Sequence, residues 1–422
     1  MLKDLLVLCR LPILTLGILL LGDGSFLVAQ SEADAAKSGV YITSISITGL
    51  KRTKLSAAER PLRQFVGLAV EDVNINEVTA AIMATGILQP VSVEVQGEVL
   101  AVEVREKWSI FPIPIVTGGS DGIGAGLALT DTNAFGLNDQ LFLAAFYHPN
   151  TFSVSAGYFS SSRGGRLPGY NGMASFARSQ RHDRDQNAHL LRRFELDSLS
   201  LRTGLSFPLL ENSNALTASL LFSFNNTWLR NLDSALLPPP DDLTLYGAGT
   251  ELAARRNSWD GFFLSRESIS VRYTFQTNFS GIAFQTVQLQ GAWDKSLVPG
   301  FRFSFRTGAI FKPDAPILAE AAPGGAQVVI LPKGFSAKNL VGGSAGFEKS
   351  VFKISAGTLS IAAYYQGVYA HGSVLGDSTD HGFAGMLSFY LSRLAIPALG
   401  VGIAHNVGKD HTQVFFNFGM SF

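Results

Sequence analysis

Residues 108–422 alternate between apolar and polar positions in segments of about ten residues, the signature of a β-strand with two unlike faces. In 214–228, Leu216, Ala218, Leu220, Phe222, Phe224 and Trp228 share one face, and Thr217, Ser219, Ser223, Asn225 and Thr227 the other. In 268–276, Ile269, Val271, Tyr273 and Phe275 oppose Ser268, Ser270, Arg272, Thr274 and Gln276. In 301–306, Phe301, Phe303 and Phe305 oppose Arg302, Ser304 and Arg306. A soluble sandwich also alternates, but on shorter strands with more outward charge. The pattern fits a transmembrane antiparallel barrel, with lipid outside and water inside. Fifteen strands are recognisable, near 108–118, 122–131, 138–148, 151–160, 170–180, 194–207, 213–229, 263–277, 282–294, 299–311, 340–353, 357–370, 381–391, 396–406 and 411–422. A single-chain barrel takes an even number. The stretch 243–256 supplies a sixteenth, with fourteen as the alternative. Tight connections near 133–138, 163–168, 208–213 and 277–281 are expected at one rim. Long polar ones near 180–193, 231–262, 312–338 and 371–381 are expected at the other.

Residues 41–107 mix two periods. YITSISIT at 41–48 alternates, with Ile42, Ile45 and Ile47 as candidate core. Asn74 followed by Glu77, with Gly86 as the stop, spells a capped helix. Its apolar stripe is Val78, Ile82 and Ile87. Ser56 and Glu59 have the same box spacing, but Pro61 cannot donate to residue 57, so that helix is expected to begin nearer Pro61. VSVEVQ and VLAVEV flank Gly97-Glu98 as a hairpin. The order is strand, helix, helix, strand, strand.

Composition agrees with a membrane wall. Charged residues are 16% of the 422, against roughly 25% in soluble domains, and Lys+Arg 33 balances Asp+Glu 33. That balance argues against nucleic-acid binding driven by excess positive charge. The one continuously apolar stretch, Leu11 to Leu21, is too short for a spanning helix. Lipid then leaves a closed barrel as the other way to pair every backbone group. Lys3, Arg10, the apolar run and LVA at 27–29 read as an export signal over 1–29, cleaved after Ala29. Residues 30–40 are a tether. The single Cys, Cys9, lies inside the signal, so no disulfide framework, Cys metal site or Cys nucleophile is expected.

Several motifs have plain alternatives. GGSDG at 118–122 and GGSAG at 342–346 fit G-x-S-x-G, but a nucleophile elbow needs a strand-to-helix turn, and these fall in barrel strands. HDRDQNAH at 182–189 and HGSVLGDSTDH at 371–381 suggest a metal, yet solvated loops explain them equally. Inward Arg202, Arg272, Arg302 and Arg306 would form an anion-preferring pore or, the favoured reading, pair with lumen acids. No cofactor, metal or enzymatic activity is expected.

Three stretches together carry a resemblance. ITSISITGLKRTK, LQPVSVEV and LAVEVREKW within 41–107 resemble a POTRA domain. GIGAGLALTDTNAFG at 122–136 resembles the second barrel strand of the BamA/TamA/FhaC outer-membrane superfamily. ILPKGFSAKNLVGGSAGFEKSVFK at 330–353 resembles that superfamily's sixth loop and following strand. The resemblance implies one periplasmic POTRA-like domain (41–107) before an outer-membrane barrel (108–422). It implies assembly of barrel proteins or export of a polypeptide, with unfolded clients, outer-membrane lipids and accessory periplasmic proteins as partners. A passive pore or surface antigen is the further alternative. The family's Arg-Gly-aromatic loop tip reads Lys333-Gly334-Phe335 here. Glu348 matches a family acid, and Gln366 replaces an Asp. Lys gives a point contact in place of a bidentate fork. Lys333 is expected in the lumen against Glu348 or another acid.

The last strand, HTQVFFNFGMSF, resembles the terminal assembly signal of outer-membrane barrels. Val414, Phe416, Phe418, Met420 and Phe422 share one face, and Gln413, Asn417, Gly419 and Ser421 the other. The first strand holds Pro112 and Pro114, neither of which can donate a ladder bond. Sharing parity, both gaps point to one neighbour. If that is the last strand, the seam is weakened there and could part sideways as the family's lateral gate is thought to do. Alternatively both face the second strand or precede the paired region.

Overall fold

The structure is a computed structural model. It describes residues 39–119, 122–149, 151–160, 168–184, 190–210, 213–234, 240–260, 263–322, 326–331, 335–373, 376–391, 399–409 and 411–418. The signal-like segment 1–29 and nearly all of the tether lie outside the described residues.

Three strands and two helices form the segment 41–107. β1 (Ser44–Thr48) pairs parallel with β3 (Val99–Glu106), and β3 pairs antiparallel with β2 (Leu88–Gln96). The order β1-β3-β2 leaves β1 and β2 as edges. Leu100, Val102 and Val104 pack on Leu62, Phe65, Val78 and Ile82. The first helix, α1 (Leu55–Glu59), starts before Pro61 rather than at it. The missing Pro61 N–H is accommodated by a change of pitch, and Arg60–Phe65 continues as a 3-10 turn. In α2 (Ile75–Ala84) Asn74 caps the Asn76 N–H at 3.0 Å. Glu77 meets the Asn74 side-chain amide at 3.4 Å, so the two residues touch without the full reciprocal box.

Sixteen strands then form one antiparallel sheet, each paired to the next in sequence. They are β4 (Ile110–Gly119), β5 (Gly122–Ala134), β6 (Asp139–His148), β7 (Thr151–Ser160), β8 (Gly169–Arg184), β9 (Leu190–Leu210), β10 (Ser213–Ser234), β11 (Leu243–Asp260), β12 (Phe263–Thr277), β13 (Ala283–Val298), β14 (Phe301–Phe311), β15 (Asn339–Ile354), β16 (Gly357–His371), β17 (Ser378–Leu391), β18 (Leu399–Asn406) and β19 (His411–Phe418). β11 fills the stretch 243–256, so 231–262 is not one long loop. That extra strand reverses every later connection. It places 312–338 at the far rim, away from residues 41–107, and it moves the tight 277–281 turn to that far rim as well, against the expected grouping.

The outward face is apolar and the inward face polar. Leu127, Leu252, Val271 and Phe347 are 43–54% exposed, while Arg302, Ser304, Arg306 and Glu348 are at most 4% exposed. This inversion of a soluble protein is stable with lipid outside. No helix among the described residues is long and apolar enough to cross a membrane. β6 and β7 have 10 residues each, but β9 has 21 and β10 has 22. About 9–11 residues suffice to cross. In the overhang the outward face turns polar: Asp197 is held by Arg178 and Arg230, each at 2.8 Å.

Among the described residues the sheet does not close. β4 and β19 approach within 8 Å between Cα atoms, yet no ladder joins them among the described residues.

Candidate functional site

The open edge of β4 is set by two residues and one register. Ile110 faces Asp131, Pro112 faces Leu129 and Pro114 faces Leu127 on β5. The Thr132 N–H donates to the Ser109 carbonyl at 2.9 Å, so 109/132 is a hydrogen-bonded pair. Such pairs recur at every second residue in an antiparallel ladder. Residues 111, 113 and 115 therefore bond to β5, and 110, 112, 114 and 116 turn their backbone groups the other way. Both proline nitrogens thus point at the free edge, towards β19. Phe416, Asn417 and Phe418 lie on the β19 backbone, opposite Val401, Gly400 and Leu399 of β18. Gly419 and Phe422 lie outside the described residues.

The 312–338 connection folds back into the lumen. Ala326, Val328, Ile330, Leu331 and Phe335 are buried against Ala362, Tyr364, Val368, Ala384, Met386 and Ala404 from the inner faces of β16, β17 and β18. This apolar patch is one seat of the loop; Ala315, Leu318 and Ala319 pack on a second, formed by Leu243, Leu245 and Phe284 of β11 and β13. Polar contacts hold its backbone. Gln366 accepts from the Val329 N–H at 2.9 Å. Gln413 of β19 donates to the carbonyls of Val329 and Leu331, the latter at 2.9 Å. From β8, Arg181 donates to the Ile317 carbonyl at 3.2 Å and to Ser336 Oγ at 3.0 Å. Lys409, in the β18–β19 turn, lies 5.4 Å from the Phe335 ring centroid and 3.2 Å from Asp380. The loop thereby ties the last hairpin to the opposite wall.

Lys333 and Gly334 lie outside the described residues. Among the described residues Glu348 has its own partners. Glu348 takes Arg302, directly opposite on β14. It also accepts from Ser360 Oγ and from the Tyr390 hydroxyl at 2.7 Å. The Arg302 guanidinium sits 4.8 Å over the Phe263 ring, and Phe263 meets Tyr390 edge-on at 5.5 Å. These groups lie on the inner wall at the strand ends nearest residues 41–107. Arg306 pairs with both oxygens of Asp294 at 3.1 Å, and Arg272 with Glu251 at 2.5 Å. Arg202 has no ion-pair partner among the described residues. The pairing reading of the lumen arginines thus describes three of the four.

A second polar cluster joins residues 41–107 to the barrel. Arg52 donates to Ser109 Oγ at 2.8 Å and pairs with Asp131. Asn133 donates to Thr53 Oγ1 at 2.9 Å, and the Lys54 N–H to the Gly136 carbonyl at 2.8 Å. Gly136 has φ +71°, and a Cβ there would fall on the Arg52 carbonyl oxygen. The Glu106 carboxylate accepts from the backbone N–H groups of Lys51, Arg52 and Thr53 at 2.7–3.1 Å. Burial pushes its pKa up, but these donors outweigh that and hold it below the ordinary carboxylate value. Sequence reasoning missed this cluster, Asp294, Tyr390 and Gln413. The signal available was register: Arg302 and Glu348 sit at matched distances from Phe311 and Asn339.

Among the described residues the remaining motifs bring no chemistry together, and 185–189 of HDRDQNAH lie outside them. Ser344 lies within strand β15, with no helix after it; Ser120 is outside the described residues. His371 bonds Asp377 at 2.6 Å, and Asp377 also accepts from the Gly372 N–H, which accounts for that loop. Among the described residues no three His, Cys, Asp or Glu side chains converge as a metal site.

No protein-family model matches the chain, and no curated protein does. Solved structures do. A BamA from Haemophilus ducreyi lacking POTRA domains 1–3 matches with TM-score 0.53 at 14% identity, over 91% of this chain and 84% of that one. CdiB from Escherichia coli matches with TM-score 0.62 at 15% identity, over 89% and 75%. CdiB from Acinetobacter baumannii matches with TM-score 0.57 at 12% identity, over 90% and 73%. The chain has the fold of the BamA and CdiB barrels.

Proposed function

We propose that this protein resides in an outer membrane and inserts other polypeptides there, taking them up with residues 41–107 as a periplasmic POTRA domain and templating them at the seam. The observation that carries this reading is the unjoined β4–β19 edge, where Pro112 and Pro114 remove two donors from the closure. A fully bonded barrel offers no backbone to an incoming strand; this one does. The exposed β2 edge of the small sheet would take an extended client by strand addition, which recruits with little sequence preference. No covalent step is needed.

The second reading, export of a dedicated polypeptide, draws equal support from the likeness to BamA and CdiB. Depletion followed by an outer-membrane proteome separates the two. Loss of many barrels supports insertion; loss of one secreted protein with barrels intact supports export. Unchanged proteome and secretome would refute both and leave a pore. Deleting 41–104 while keeping the barrel tests recruitment, and intact client assembly would refute it.

A further inference from the structure

The two edges of the seam are chemically unequal. On β4 the groups facing the gap belong to residues 110, 112, 114 and 116. All four offer a carbonyl, but only Ile110 and Val116 offer an N–H. Between those donors lie six residue steps, or about 20 Å at ~3.3 Å per residue. That gap covers most of the ~25 Å apolar band of an outer-membrane barrel. A strand laid on this edge would have two carbonyls opposite proline rings, in lipid, with no water to bond them. β19 contrasts with this. Its residues His411–Phe418 include no proline, so every residue, whichever parity faces the gap, has its N–H.

We infer that the client strand adds to β19 and not to β4. This rests on the proposed templating role, and it deepens that role by assigning the edge and the direction. β4 runs from the rim of residues 41–107 to the far rim, and β19 runs back. A strand antiparallel to β19 therefore runs outward from the rim where the small domain sits. The occupant is an extended segment with backbone donors and acceptors along its whole length, and its own alternate apolar side chains facing lipid. The proline edge serves as the blunt side of the seam, as edge prolines do in sheets that avoid unwanted pairing.

The full chain in proteoliposomes, with a urea-unfolded eight-stranded barrel protein as probe, tests this. A photocrosslinking residue is placed singly at Ile110, Ile113, Thr412 or Val414. Adducts at 412 and 414 are expected to exceed those at 110 and 113 about ten-fold, the factor that two missing hydrogen bonds give. Equal or greater yield at 110 and 113 overturns the edge assignment and leaves the templating role standing. No adduct at any of the four sites, with the probe still inserted, overturns both. The P112V/P114V double variant is an independent check. Restored donors are expected to raise the yield of the disulfide formed on introducing V116C and V414C together, two positions of matching parity across the seam, relative to the same pair of substitutions in the parent. Unchanged disulfide yield in a variant with parental heat-dependent gel mobility overturns the assignment.

Discussion

Replacing Glu348 by Ala should be among the most damaging single changes in the barrel. The carboxylate is 0% exposed and Arg302 1%. In the variant the guanidinium keeps the Tyr390 hydroxyl at 3.3 Å and the Phe263 ring at 4.8 Å, but it loses the carboxylate directly opposite on β15. Removing one member of a buried ion pair costs about 3–5 kcal/mol, because the other charge stays buried without its counter-ion. Ser360 and Tyr390 lose their acceptor too, which adds about 1 kcal/mol for each hydroxyl. R302M leaves a carboxylate that still accepts from two hydroxyls and can take a proton, so its cost should be smaller, about 2–3 kcal/mol. R302M/E348A removes both charges and should fall below E348A alone, since no uncompensated charge is left buried. The cycle should therefore give a coupling of several kcal/mol. Urea unfolding in bilayers, followed by tryptophan fluorescence and heat-dependent gel mobility, measures all three. An E348A loss under about 1 kcal/mol, or costs that simply add, would refute the reasoning.

Other outcomes follow from the loop and the domain junction. Q413L removes both donors to the Val329 and Leu331 carbonyls, so added protease should cut 326–337 faster; unchanged cleavage would show that the latch carries nothing. G136A forces a side chain onto the Arg52 carbonyl and should broaden spin-label distances between residues 41–107 and the barrel, while R52A should do the same through loss of Asp131. The Glu106 carboxyl has its folded pKa below its ordinary value of 4.5. Its stabilising contribution is therefore present above about pH 4.5 and is lost as pH falls through the folded value. The spin-label distance should widen on acidification in that window and not in E106Q; parallel behaviour of both proteins would remove Glu106 from the account.

The strand count was legible because alternation is local. Each ten-residue segment declares two faces, and the even-number rule then singles out 243–256. Which rim a connection joins is not local, since it depends on every earlier strand, and the short 277–281 turn misleads by its length alone. Pro61 illustrates a different limit: the missing donor is plain in the sequence, but a helix can answer it by tightening as well as by starting late. Pro112 and Pro114 show parity in the sequence and direction only in the register, which the Ser109–Thr132 bond fixes. The Arg302 partner of Glu348 is a cross-strand neighbour 46 residues away in sequence, a relation that register carries and a loop motif does not.

The unequal strand lengths have a consequence for what lies outside the cell. With 21 and 22 residues in β9 and β10, ~3.3 Å per residue and a tilt near 40°, these strands rise about 55 Å. The apolar band takes ~25 Å of that, and the connections near residues 41–107 are short, so roughly 25–30 Å of sheet stands clear of the far leaflet. Its base is marked by the Arg178–Asp197–Arg230 cluster. In the proposed orientation, this one-sided parapet is the first part of the protein that a phage, an antibody or a neighbouring cell meets, and it stands on the wall of β8–β11 rather than beside the seam. Recognition from outside can therefore change by substitution in the parapet without touching the β4 and β19 edges.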